Sequence, residues 1–121
     1  MWIFTKSGFL SVVQNTANPR YLIVRARQSH HITSNFPGTV PLYTPDADYH
    51  WRVYLPREEV AEQIDRLITD IDYSNFKDAA DADLKNTYMS IWSTGLQLES
   101  LNHARITTVG LNQSESPWTY D

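Results

Sequence analysis

The alternation of apolar and polar positions is sharpest in two short segments. In Tyr21-Leu22-Ile23-Val24-Arg25-Ala26-Arg27, a period of two sets Leu22, Val24 and Ala26 on one side and Arg25 and Arg27 on the other. In Tyr49-His50-Trp51-Arg52-Val53-Tyr54-Leu55, Trp51, Val53 and Leu55 share a face, and His50, Arg52 and Tyr54 share the opposite one. Residues 2–14 read as a further strand, kinked at Gly8. The turn cluster Asn15-Thr16-Ala17-Asn18-Pro19 joins it to the strand at 21–27 as a hairpin. Ser29 to Phe36 predicts a helical turn or two, capped by Ser29 and ended by Pro37-Gly38. Val40-Pro41-Leu42-Tyr43 reads as a short strand whose proline fits an edge. Thr44 to Asp48 reads as a turn leading into a strand at 49–55.

The period then changes from two to 3.6. Pro56 stands at a helix start, with Glu58 and Glu59 in the first turn, where carboxylates oppose the positive end of the helix dipole. Val60, Ile64, Leu67, Ile68 and Ile71 follow as one apolar stripe. After the polar linker Asp72 to Asp78, a second helix carries Leu84, Tyr88, Ile91 and Trp92, with Gly95 placed to close it. Arg105 to Val109 reads as a short added strand, and Asn112 to Asp121 as a polar tail with Trp118 and Tyr120. The order predicts an α+β domain, an antiparallel sheet with helices on one face, for which a ferredoxin-like variant is the first expectation. Residues 1–95 form the expected core domain, and 96–121 a C-terminal extension or tail.

Composition narrows this picture. A chain of 121 residues suits one domain with its own core. Fourteen acids against ten lysines and arginines give a net charge of −4. That disfavours binding of extended nucleic acid over the whole surface, while leaving room for a local basic patch. With no cysteine, disulfides and thiolate metal sites are excluded. The N-terminus lacks the features of a signal peptide, and no run is long enough for a membrane span. A cytoplasmic protein, with no membrane partner, is the expectation.

The opening Met1-Trp2-Ile3-Phe4-Thr5…Gly8-Phe9…Ser11-Val12-Val13 resembles a group of short bacterial and phage proteins to which no activity is assigned. Leu22 to Arg27, Thr44 to Tyr49 and Asp72 to Asp78 are similar to its later segments, in the same order. The likeness spans roughly residues 1–94 and implies neither a function nor a site.

The candidate chemistry is the polar sheet face. Arg25, Arg27 and Arg52 are suited to bidentate contacts with phosphate, His50 and Tyr54 to stacking or bonding with the rest of a ligand, and Ser11 to an added hydroxyl donor. A nucleotide-like small molecule would satisfy both the charge and the aromatics. A solvated face or a homodimer interface are the structural alternatives. Paired His30-His31, even with His50 and His103, lack the spacing of a metal site, and Thr44-Pro45-Asp46-Ala47-Asp48 lacks the pattern of a calcium loop. No cofactor motif is present. The expectation is therefore a non-enzymatic binder of a phosphate-bearing ligand. In a phage it would act as a sponge against host nucleotide-signalling immunity. Two alternatives are a protein-interaction module that inhibits a host protein, with the aromatic tail docking in a groove, and a phosphodiesterase or nuclease using His30 or His50 with Arg25.

Overall fold

The structure, a computed structural model, describes the backbone of residues 1–109 and the side chains of residues 1–101. The first fifteen residues do not form one kinked strand but a hairpin of β1 (Trp2–Thr5) and β2 (Gly8–Gln14), in register Thr5 with Gly8. Its turn, Lys6-Ser7, has no positive φ. The Thr5 hydroxyl closes it instead, accepting from the Ser7 N–H at 3.2 Å and donating to the Gly8 carbonyl at 3.2 Å.

Strand β3 (Tyr21–Ala26) continues the meander, and helix α1 (Ser29–Asn35) follows. Gln28, not Ser29, occupies the position before α1, without a side-chain cap. Gly38, at φ 84°, turns the chain out of the helix beyond Pro37. Strand β4 (Leu42–Tyr43) is a two-residue edge beside β5 (Trp51–Pro56). Tyr49 and His50 precede β5 rather than opening it. Helix α2 (Arg57–Thr69) starts directly after Pro56, with Glu58 and Glu59 in its first turn, as expected. Helix α3 (Phe76–Ala79) is capped by the Asn75 side chain, which accepts from the Asp78 N–H at 3.2 Å.

The five strands lie in the order β1-β2-β3-β5-β4, every neighbour antiparallel. This is the α+β class, with α1 and α2 on one face of the sheet. Because β3 and β4 both oppose β5, they run parallel to each other. The β3-α1-β4 passage is thus a split βαβ unit with β5 inserted. A ferredoxin-like sheet carries two such units; here the β1-β2 hairpin takes the place of the other.

The core is the helix-covered face. Leu10, Val12, Val24 and Ala26 from the sheet bury against Ile32, Phe36 and Val60, flanked by Ile3, Leu22, Trp51, Val53, Leu55 and Ile64. The alternation in β3 and β5 sends to this face the residues that the sequence assigns to it. Asn35 ties three elements below it. Its Nδ2 donates to the His31 carbonyl at 2.7 Å, its Oδ1 accepts from Ser7 Oγ at 3.2 Å, and its carbonyl accepts from Gln63 Nε2 at 2.7 Å. All of its bonds are made inside the protein, as burial requires. The α2 stripe is less buried than its spacing suggests. Val60 is enclosed, but Ile68 is 64% exposed, and Ile71 lies beyond the helix end.

The chain divides into two units, Met1–Lys85 and a second beginning at Asn86. Among the described residues, the second is helix α4 (Lys85–Val109), a single run of 25 residues. Gly95 does not close it. Its φ is negative and its neighbours favour helix, so it sits in the interior at a cost of about 1 kcal/mol against alanine. Residues 105–109, expected as a strand, continue the same helix. The tail expected at 112–121 lies outside the described residues. No described helix is long and apolar enough to cross a membrane.

Candidate functional site

The site is built by the phase of the hydrogen-bond ladder. The Met1 ammonium donates to the Val12 carbonyl at 2.7 Å, and the Val12 N–H returns to the Met1 carbonyl at 2.8 Å. Gly8, Leu10 and Val12 therefore bond towards β1, while Phe9, Ser11 and Val13 direct their N–H groups towards β3. On the other side of β3, the Arg57 N–H donates to the Arg20 carbonyl at 2.9 Å. By the same alternation Leu22, Val24 and Ala26 are the bonded positions against β5. Arg25 and Arg52, directly opposite each other, fall in a non-hydrogen-bonded pair, where backbones approach most closely, at about 4.5 Å.

One row thus crosses all five strands on the face away from α1 and α2: Trp2, Ser11, Arg25, Arg52, Leu42. Arg25 Nη2 donates to Ser11 Oγ at 2.7 Å, and Ser11 is buried. The Nε atoms of Arg25 and Arg52 are both buried and have no acceptor among the described residues. Among the described residues neither guanidinium forms an ion pair with a carboxylate, unlike His30, which pairs with Asp83, and Arg66, which pairs with Glu62. Like charges directly opposite on a sheet are unfavourable, and these two cations stand opposite each other without a paired carboxylate among the described residues.

Around this pair the sequence expectations divide. Tyr54, two residues along β5 from Arg52, shares its face and is exposed. Arg27 lies just beyond β3, with its Nη1 donating to the Asp48 carbonyl at 3.0 Å. His50 is exposed ahead of β5, with its ring 5.8 Å from that of Tyr43 at the β4 end. Ser11, Arg25, Arg52 and Tyr54 are brought together on one face. Arg27 joins them through a residue the sequence reading missed.

That residue is Tyr49. A regular strand from 49 to 55 would put it on the core face with Trp51. The chain instead bends through residues 47–50, and the ring turns to the arginine face. There it is buried, edge-to-face with Phe9 at 6.2 Å, under the Arg25 guanidinium at 4.9 Å and that of Arg27 at 4.7 Å. Such cation–π contacts fix the direction of both arginines. The Phe9 ring also stacks on Phe4 at 4.5 Å and meets Trp2 edge-to-face at 5.8 Å. Trp2, also missed, is 68% exposed beside the row.

The histidines occupy other ground. Phe9 lies one step past the end of the β2-β3 ladder, and its N–H donates instead to His31 Nδ1 at 3.3 Å. His31 is buried on α1, and its pKa is held below the ordinary histidine value. Burial is the main cause and the charge of His30 adds to it, while Asp83 and Asp81 pull the other way. His30 is exposed, 3.6 Å from Asp83. His30 and His50 thus sit on separate elements, and His103 lies outside the described side chains. Among the described residues no three acidic, histidine or cysteine side chains are grouped to hold a metal.

A cavity of about 530 Å³ lies away from the arginines. It runs along β1 and the second half of α2, between Ile3, Lys6, Leu67, Ile68, Ile71 and Tyr73. It is where the uncovered end of the α2 stripe goes. The chain matches no protein-family model, no curated protein and no solved structure.

Proposed function

We propose that the protein is a non-enzymatic binding module for a phosphate-bearing ligand, held on the sheet face by Arg25 and Arg52. One observation carries the reading: among the described residues, two opposed guanidiniums have buried Nε atoms without acceptors and form no ion pair with a carboxylate. A bound oxyanion supplies charge and acceptors at once, and charge-assisted bonds of this kind are among the strongest. Ser11 and Tyr49 position Arg25 from below and from the side. Tyr54 stands beside Arg52 to meet the remainder of the ligand. Nucleotides fit this division of labour, and a protein that sequesters a nucleotide signal needs no more than it.

The test is a thermal-shift screen of purified protein against inorganic phosphate, nucleotides and cyclic dinucleotides, followed by chromatography of whatever stays bound. The expected result is a rise of several degrees with the ligand recovered unchanged. The rise is lost in Arg25→Ala and Arg52→Ala but kept in Arg66→Ala, whose arginine pairs with Glu62 on α2. No shift anywhere in the panel overturns the reading.

A further inference from the structure

The row that crosses the sheet begins at Trp2 on β1, and a second aromatic, Tyr54, stands one step off the row on Arg52's own strand, opposite Ile23. Trp2 stands on β1, level with Ser11 and Arg25, its ring fixed by the edge-to-face contact with Phe9. Tyr54 stands on β5, one step along from Arg52. Both side chains are exposed, at 68% and 42%, although large rings on a sheet face ordinarily bury against something. Three strand spacings separate β1 from β5, about 14 Å at about 4.8 Å each. Aromatic rings on an open sheet face are stacking platforms for unpaired bases, and guanidiniums between them track phosphate.

A mononucleotide cannot use this arrangement fully. It offers one base, whereas the two platforms stand three strands apart, Trp2 across the sheet from Arg25 and Tyr54 along β5 from Arg52. A ligand that reaches both platforms and the arginines must carry two bases joined through phosphate. We infer that the face takes two nucleobases joined through phosphate, stacked on Trp2 and Tyr54, with the linking phosphate on Arg25 and Arg52. This rests on the anion-binding reading above. It adds the ligand class, and it assigns to Trp2 a role that neither charge nor motif indicates. The shared chemistry occurs in a short single-stranded oligonucleotide and in a cyclic dinucleotide. The overall charge of −4 restricts either to the patch itself.

The experiment is a titration of the full chain with four probes: inorganic phosphate, a mononucleotide, a linear dinucleotide bearing a terminal phosphate, and a cyclic dinucleotide. The expected result is that one of the two-base probes binds at least about ten-fold tighter than the mononucleotide, the order expected for one further base on an aromatic ring. Which of the two does so distinguishes the open from the closed source. Trp2→Ala and Tyr54→Ala should each bring that probe back towards mononucleotide affinity, while Trp2→Phe retains most of it. Both side chains are exposed, so these variants should melt near the wild-type temperature, and unfolding does not mimic the loss. Raising salt should weaken binding with a log–log slope of about −0.7 for each phosphate neutralised, and Arg52→Ala should flatten that slope. If the mononucleotide binds as tightly as both two-base probes, or if Trp2→Ala and Tyr54→Ala leave the two-base affinity unchanged, this inference fails and the anion reading stands. If no probe binds, both fail.

Discussion

At the scale of single residues, His31 shows how position decides chemistry. The Phe9 N–H reaches it because β3 has ended, leaving the next donor of β2 without a strand to bond. A proton on Nδ1 breaks that bond, and the buried ring resists charge. The folded-state pKa lies below the unfolded value of about 6.5, so the unfolded chain binds the proton more readily. The stabilisation from neutral His31 is therefore complete above that value and is lost as pH falls through it towards the lower folded pKa. The groups facing the ring are His30, Asp81 and Asp83, and the two carboxylates moderate the effect without reversing it. Denaturant midpoints at pH 7.5 and pH 5 should differ less in His31→Asn, which keeps an acceptor but cannot titrate. Equal pH slopes in both proteins would remove His31 from this role. Tyr49 makes the complementary point, since one ring positions both Arg25 and Arg27.

At the scale of elements, the contact between hairpin and helix is set by a missing side chain. A Cβ on Gly8 would lie 2.7 Å from His31 Cβ and 2.8 Å from its Cα, so α1 sits directly on the start of β2. Neither neighbour is the free end of a flexible chain. Gly8→Ala should therefore cost about 1–3 kcal/mol by overpacking, lowering the melting temperature of a unit this size by several degrees. An unchanged melting temperature would show that α1 can move away freely. The same glycine marks what the sequence could and could not disclose. Strong periodicity was legible: the core faces of β3 and β5, and helix α2 from Pro56, follow directly from spacing. The Lys6-Ser7 turn was not, because it lacks the Asn-Gly or Asp-Gly pairs that announce a two-residue hairpin and closes through the Thr5 hydroxyl. From spacing alone, Gly8 therefore reads as a kink. Gly95 misled in the other direction, since a glycine near the end of an apolar stripe reads as a stop unless the following residues are weighed as helix formers. In the site, the shared face of Arg25, Arg52 and Tyr54 was legible from alternation. Tyr49 was not, because alternation holds only inside a regular strand and the chain bends just before β5.

At the scale of the whole molecule, the charge distribution sets an acidic protein around a small cationic row. The ten basic residues are not spread evenly in their pairing. Arg66 is bonded to Glu62 on the helix surface, and Arg57 holds the β2-β3 connection by donating to the Pro19 carbonyl and Gln14 Oε1. Arg25 and Arg52 face each other across one ladder step, and among the described residues neither forms an ion pair with an acid. A pair of like charges so placed opposes folding by a few tenths to about 1 kcal/mol, and an anion bound only to the folded state opposes that in turn by mass action. Stability should thus depend on which anion is present, and not only on ionic strength. At constant ionic strength, replacing chloride with sulfate should raise the melting temperature of the wild type more than that of Arg52→Leu. Sulfate stabilises most proteins by exclusion from their surface, so the difference between the two proteins is the quantity that counts. In chloride alone, Arg52→Leu should melt at or above the wild-type temperature, because the variant removes the repulsion and adds an apolar side chain to the face. If sulfate raises both proteins equally, the arginine row is not where anions bind. If the variant melts far below wild type in chloride, Arg52 is held by a partner that contributes to the fold, and the row is structural.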